Sequence, residues 1–188
     1  MSYDMDSRWY QVSSFEELQS LMLSYLKGDI ELTPWHLAPL MPESKEILTS
    51  LEKLNQAGFV TYNSQPGEAY SITRNGRQKA YVDGLVTSEN AEHLVEHFSA
   101  LGQYRIFTKP NTDFSPNRPY TYPVTQDSFG RNFTHGPSNK VANAIEFFDS
   151  DEFLEDAWSL LSSLVTVNIT DTRWGKNELW NEILVALA

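Results

Sequence analysis

The 188-residue chain has no cysteine. That excludes disulfides, thiolate zinc sites and cysteine nucleophiles, and it fits a reducing compartment. Long hydrophobic runs are missing too, and no apolar stretch approaches the roughly 20 residues needed to span a bilayer. The opening MSYDMDSRWYQ has neither the basic nor the apolar region of a secretory signal, so the sequence predicts a soluble, cytoplasmic protein. Glycine is sparse, with nine residues. Neither Gly-x-Gly-x-x-Gly nor a Walker sequence occurs, which closes the usual phosphate-loop routes to nucleotide binding and leaves no motif that calls for a cofactor. Positive charge is short as well: 14 Lys and Arg stand against 25 Asp and Glu, a net charge of -11. Such a chain repels nucleic-acid phosphates over most of its surface. It suits a basic partner surface, or simply uses its charge for solubility.

What is present is regular structure with clear punctuation. Ser14 and Glu17 form a capping box ahead of Phe15, Leu18, Met22 and Leu26, which recur at helical spacing up to Gly28. Ile47, Leu48, Leu51 and Leu54 predict a second helix that stops at Gly58, and a Phe-Val-Thr-Tyr strand follows, closed by Gln65-Pro66-Gly67. QKAYVDGLVT predicts a strand, Thr87 or Ser88 caps a helix to Gly102, and Tyr104 to Thr108 reads as the next strand, giving a strand, helix, strand unit. A short strand is expected near Tyr122 to Thr125. Helices are expected from Lys140 to Phe148 and from Asp149 onward, then a TVNIT strand and a terminal ELWNEILVAL helix. The fold class predicted is α+β: one domain, 1–188, with a small mixed β-sheet covered by about five helices. A long aromatic and relatively basic loop region lies at about 109–140.

Several constellations carry chemistry. His93-Leu94-Val95-Glu96-His97 fits the His-x-x-Glu-His spacing of inverted zinc peptidases, with His93 and His97 one helical turn apart and Glu178 or Glu182 as a third ligand. A solvated helix face with two ordinary histidines explains the same residues. Ser64 sits at a strand-ending turn, where a hydroxyl is easily exposed, yet it lacks a nucleophile-elbow context and a histidine nearby in sequence. Bonding to the backbone of their own turn accounts for Ser64 and Gln65 equally well. Arg105, Arg118 and Arg131, with Lys109, His135 and Lys140, lie amid Phe107, Tyr120, Tyr122, Phe129 and Phe133, a mixture able to hold phosphates and stack bases or to decorate an irregular loop. Glu146, Asp149, Asp151, Glu152, Glu155 and Asp156 place six carboxylates within eleven positions. A helix start explains some of them, and the rest form a negative patch fit for a basic partner.

LNQAGFVTYNSQPG, QKAYVDGLVT and TDTRWGKNELWNEILVALA together resemble an uncharacterised bacterial and phage family. Its pattern is Leu-Asn-x-Ala-Gly-Phe-x-Thr-x-x-Ser-Gln-Pro-Gly, with a terminal Asp-x-x-Trp-Gly turn before an apolar helix. The resemblance falls on Ser64, Gln65, Pro66 and Gly67 and on Asp171, Trp174 and Gly175, implies an α+β domain with the two turns near each other, and brings no activity. Two functions follow as expectations. The first is a non-enzymatic acidic protein that occupies a basic site on a macromolecule, such as a nucleic-acid-binding protein, in the manner of a phage inhibitor of a host defence or nucleic-acid-handling system; the phage element comes from the resemblance alone. It would use the acidic cluster. The second is a small-ligand or nucleotide-binding protein, with hydrolysis as a variant, built on Ser64, Gln65, Asp171, Trp174 and Arg105, Arg118 and Arg131. The oligomeric state is left open.

Overall fold

The computed structural model describes residues 5–71, 75–113, 122–134 and 153–188. Among these the chain forms five α-helices and two four-stranded antiparallel sheets in a single-domain α+β arrangement. Helix α1, Phe15–Lys27, begins at Ser14, whose Oγ accepts the Glu17 N–H, while Glu17 reaches back to the Ser13 N–H. The capping box therefore works as its spacing implies. Helix α2, Leu48–Gln56, ends where Gly58 adopts φ +94, and strand β1, Val60–Gln65, follows directly. A left-handed residue at this position suits glycine, which has no Cβ to clash with the turn.

Strands β2 (Glu68–Ser71) and β3 (Gly76–Gln78) lead away from β1, and β4 (Tyr81–Val86) returns beside it. Thr87 caps helix α3, Ser88–Ser99, by accepting the Asn90 N–H, and β5, Tyr104–Pro110, comes next. Thr125–Asp127 and Asn132–Phe133 form β6 and β7, so the short strand starts at the end of the stretch expected from sequence. The helix expected at 140–148 lies outside the described residues. Helix α4 opens at Glu155 rather than just after Asp149, with Leu154 at its cap offering no side-chain bond. Strand β8 (Val165–Asp171) and helix α5 (Leu179–Ala186) complete the chain.

The main sheet has the order β1-β4-β8-β5 and the second sheet β2-β3-β6-β7. The strand, helix, strand unit β4-α3-β5 is present, but its strands are not neighbours. β8 inserts between them and pairs antiparallel with both. This insertion makes the sheet, expected from the sequence to be mixed, purely antiparallel, because β8 separates β4 from β5, which points the same way.

Alternation sends β8 side chains to two unlike faces. Val165, Val167 and Ile169 join Val82, Val86, Leu94, Phe98, Leu179 and Ile183 in the core. Thr166, Asn168 and Thr170 face the other way and are still buried. One side of the sheet is therefore an ordinary helix-covered core, and the other is a buried polar layer.

Candidate functional site

The two signature turns dock on each other. The Gly67 N–H donates to Asn177 Oδ1 at 2.7 Å, and Asn177 Nδ2 donates back to the Gly67 carbonyl at 2.9 Å. A Cβ at Gly67 would run into the Lys176 backbone, so close approach requires glycine here. Asp171, fully buried at the end of β8, accepts from the Arg173 backbone N–H and from its guanidinium at 2.9 and 2.7 Å. The pair raises the Arg173 pKa and locks the guanidinium beside the Tyr104 ring. Burial pushes the Tyr104 hydroxyl up to about 12, with Asp171 adding to the effect. Trp174 packs against two cations: Lys79 Nζ lies 4.4 Å from its ring centre and 3.9 Å from that of Tyr122, and the Arg77 guanidinium lies 4.6 Å from Trp174. These cation–π contacts occupy the faces of Trp174 with the protein's own side chains.

Ser64 and Gln65 sit elsewhere. They line a pocket of about 100 Å³ on the outer edge of β1, against Met22, Tyr25 and Leu26 of α1, Leu51 of α2, and His36, Leu40 and Met41 of the intervening loop. β1 is an edge strand of its sheet, so nothing pairs with it on the pocket side in the main sheet. Tyr25 donates its hydroxyl to the Ala38 carbonyl at 3.0 Å, tying the loop to α1, and burial pushes its pKa up to about 12. Trp35, from the same loop, stacks on Tyr62 at 5.6 Å and meets Trp9 edge-on at 6.0 Å. The aromatic series fixes the loop over the sheet.

Behind the pocket stands Asp83, fully buried in the middle of β4. Asn63 Nδ2 donates to its Oδ2 at 3.0 Å and Asn168 Nδ2 to its Oδ1 at 2.7 Å. Burial pushes the carboxyl up to about 7, against the pull of these two hydrogen bonds. Tyr62, bonded to Thr166, is raised well above its usual value by burial and by Asp83. Sequence reasoning passed over Asp83 and Asn168. The signal was available: one acid in the apolar run YVDGLV and one carboxamide in VTVNIT, each central in a strand buried along its whole length.

The other candidates are dispersed. Arg105 lies exposed on β5, the opposite edge of the main sheet from β1, and three strand spacings put it about 14 Å away. Arg131 pairs with Asp127 at 2.6 Å in the β6–β7 hairpin of the second sheet. Arg118 is outside the described residues, as are Glu146, Asp149, Asp151 and Glu152. Glu155 and Asp156 open α4, where the helix dipole favours negative charge. His93 is exposed, while His97 Nε2 lies 2.9 Å from Glu182 Oε2 and joins α3 to α5. Among the described residues no group of three acids or histidines has the geometry to hold a metal ion, and no helix is long and apolar enough to cross a membrane.

Comparison with known proteins points to metabolic enzymes. The chain is 33% identical over 118 residues to a probable methylenetetrahydrofolate reductase (NADH) of Oryza sativa subsp. japonica, covering 55% of this chain and 20% of the relative. It is 27% identical over 157 residues to methylenetetrahydrofolate reductase 2 of Saccharomyces cerevisiae, covering 78% of this chain and 24% of the relative. With methylenetetrahydrofolate reductase 1 of Schizosaccharomyces pombe the identity is 30% over 132 residues, covering 64% and 22%. The chain thus spans a fifth to a quarter of the length of these relatives. This similarity overturns the expectation of a non-enzymatic acidic inhibitor of phage type. Its physical basis is also reduced, since Glu155 and Asp156 have a structural use at a helix start. With residues 4–188 matched, the chain belongs to the domain of unknown function DUF6919.

Proposed function

We propose that this domain binds a small organic molecule in the pocket on the edge of β1. The observation that carries the reading is that Ser64 and Gln65, the polar pair at the end of β1, line a pocket that sets polar side chains, Asn63, His36 and Thr61 among them, beside apolar and aromatic ones from α1, α2 and the intervening loop. Polar groups that fix orientation, placed beside apolar walls, are the usual make-up of a ligand site. The similarity to a stretch of enzymes named for a folate and, in the rice relative, for NADH supports a small-molecule role. The ligand-binding residues of this reading are Ser64, Gln65, Asn63 and Tyr62, with Asp171 and Trp174 holding the neighbouring turn in place.

The test is a thermal-shift screen with NADH, NAD, adenosine, AMP and reduced folates. A ligand that binds the native state raises Tm by mass action. Binding at this pocket predicts a Tm rise with at least one compound, lost in Ser64→Ala combined with Gln65→Ala. A full rise in the double variant would move the site elsewhere, and a flat screen would remove the reading. A hydrolytic version has one observation in its favour, that His36 and Ser64 line the same pocket. It predicts turnover of p-nitrophenyl acetate that disappears in Ser64→Ala.

A further inference from the structure

We propose that the β1 pocket selects an uncharged ligand bearing an N–H donor, and that the side-chain carbonyl of Asn63, positioned by Asp83, is the group that reads it. This inference rests on the small-ligand reading above and narrows it to a chemical class.

The carboxamide of Asn63 has two ends with different tasks. Its Nδ2 is committed to Asp83 Oδ2 at 3.0 Å, and its Oδ1 has no hydrogen-bond partner among the described residues. An amide oxygen only accepts, so the end left over asks for a donor. Asp83 is itself immobilised, fully buried with its second oxygen taken by Asn168 of the neighbouring strand. With Asp83 ionised, above about pH 7, rotating Asn63 by half a turn would set its oxygen against an acceptor and strand the amide hydrogens. The network therefore fixes which end of Asn63 is available at the pocket.

The walls decide the charge of the ligand. The pocket is lined by no Lys or Arg, and His36 is its one basic side chain. The chain as a whole carries -11. A phosphate or carboxylate entering here would lose water without gaining a strong counter-charge, which is costly. Arg105 of β5 and Arg131 of the β6–β7 hairpin belong to other parts of the molecule. Met22, Leu26, Met41 and the ring of Tyr25 offer apolar contact instead. A volume of about 100 Å³ holds a planar ring and falls short of the roughly 300 Å³ typical of sites for larger ligands.

Two matched pairs of probes test this: nicotinamide against nicotinate, and 9-methyladenine against 9-methylpurine. In each pair the second member loses the exocyclic N–H donor, and nicotinate adds a negative charge. Binding is followed by amide chemical shifts of the full chain, which also report folding of each variant. Nicotinamide and 9-methyladenine are expected to move resonances of β1 and α1 with at least about tenfold higher affinity than their partners, the scale of one unmade hydrogen bond. Asn63→Ala should bring the 9-methyladenine ratio near one and lower the nicotinamide ratio to the part that the charge of nicotinate alone sets. Asp83→Ala should do the same. Should Asp83→Ala not fold, the Asn63→Ala ratios decide alone.

Equal affinity within each pair, or an unchanged preference in Asn63→Ala, overturns the inference. AMP binding at β1 more tightly than adenosine overturns it as well, while leaving a small-ligand site standing. Silence from all four probes alongside a Tm rise with a screened compound has the same meaning. Silence in both experiments removes the parent reading too.

Discussion

Asp83 is the residue with the largest consequence for its size. A carboxyl held up to about 7 by burial binds a proton in the folded chain that the unfolded chain, with an ordinary carboxylate near 4, has already released. The stability this proton linkage supplies is complete below about pH 4. It is lost as pH rises toward 7, at up to about 1.4 kcal/mol per pH unit, and then stays level. Urea melts between pH 4 and 8 should show that decline, and Asp83→Asn should flatten it. An unchanged slope in the variant would assign the titration to another group. At the second turn, Asn177→Ala removes both bonds to the Gly67 backbone. A cost of about 1–3 kcal/mol is expected, read as a lower urea midpoint, together with faster amide exchange at Gly67. The sequence does not show what either residue bonds, because the partners lie 20 to 110 positions away.

Among the elements, the helices were the most legible. The capping box at Ser14, the threonine cap at Thr87 and the glycine stop at Gly58 are local devices, and each does in the structure what its spacing implies. Ser14→Ala should therefore cost about 1 kcal/mol in a urea melt, leaving the far-UV spectrum of the folded state unchanged. The four strands of the main sheet were legible too, from β-branched and aromatic runs, whereas β2 and β7 of the second sheet were not. Strand pairing was not. The β4-α3-β5 unit gives no local sign that β8, some 60 residues downstream of β5's start, will lie between its strands. The start of α4 at Glu155 was misplaced because acidic residues and spacing alone fit more than one helix opening.

On the scale of the whole molecule, the sheet separates two kinds of interior. The core side holds Ile169, Val167, Leu94 and Phe98, and Ile169→Ala should cost about 2–5 kcal/mol through lost burial and the cavity left behind, read as a lowered Tm. The polar side holds Asp83, Asn63, Asn168 and Thr166, and there the same loss of one partner strands a buried group rather than opening a void. The candidate site was legible only in part. Ser64 and Gln65 stood out as polar residues that turn geometry did not use up, while the pocket they line depends on α1 and the 33–41 loop. Arg105, grouped with them, is held at the opposite edge of the sheet, and Trp174 packs against Arg77 and Lys79 in the neighbouring turn. By itself the sequence determined the α+β class and the helix boundaries set by caps and glycines, because these depend on backbone preferences over a few residues. Only the tertiary structure decided which strands pair, where the acid of YVDGLV is buried, and which polar groups share a pocket. Those outcomes follow from long-range burial and hydrogen-bond satisfaction, which no short window of sequence contains.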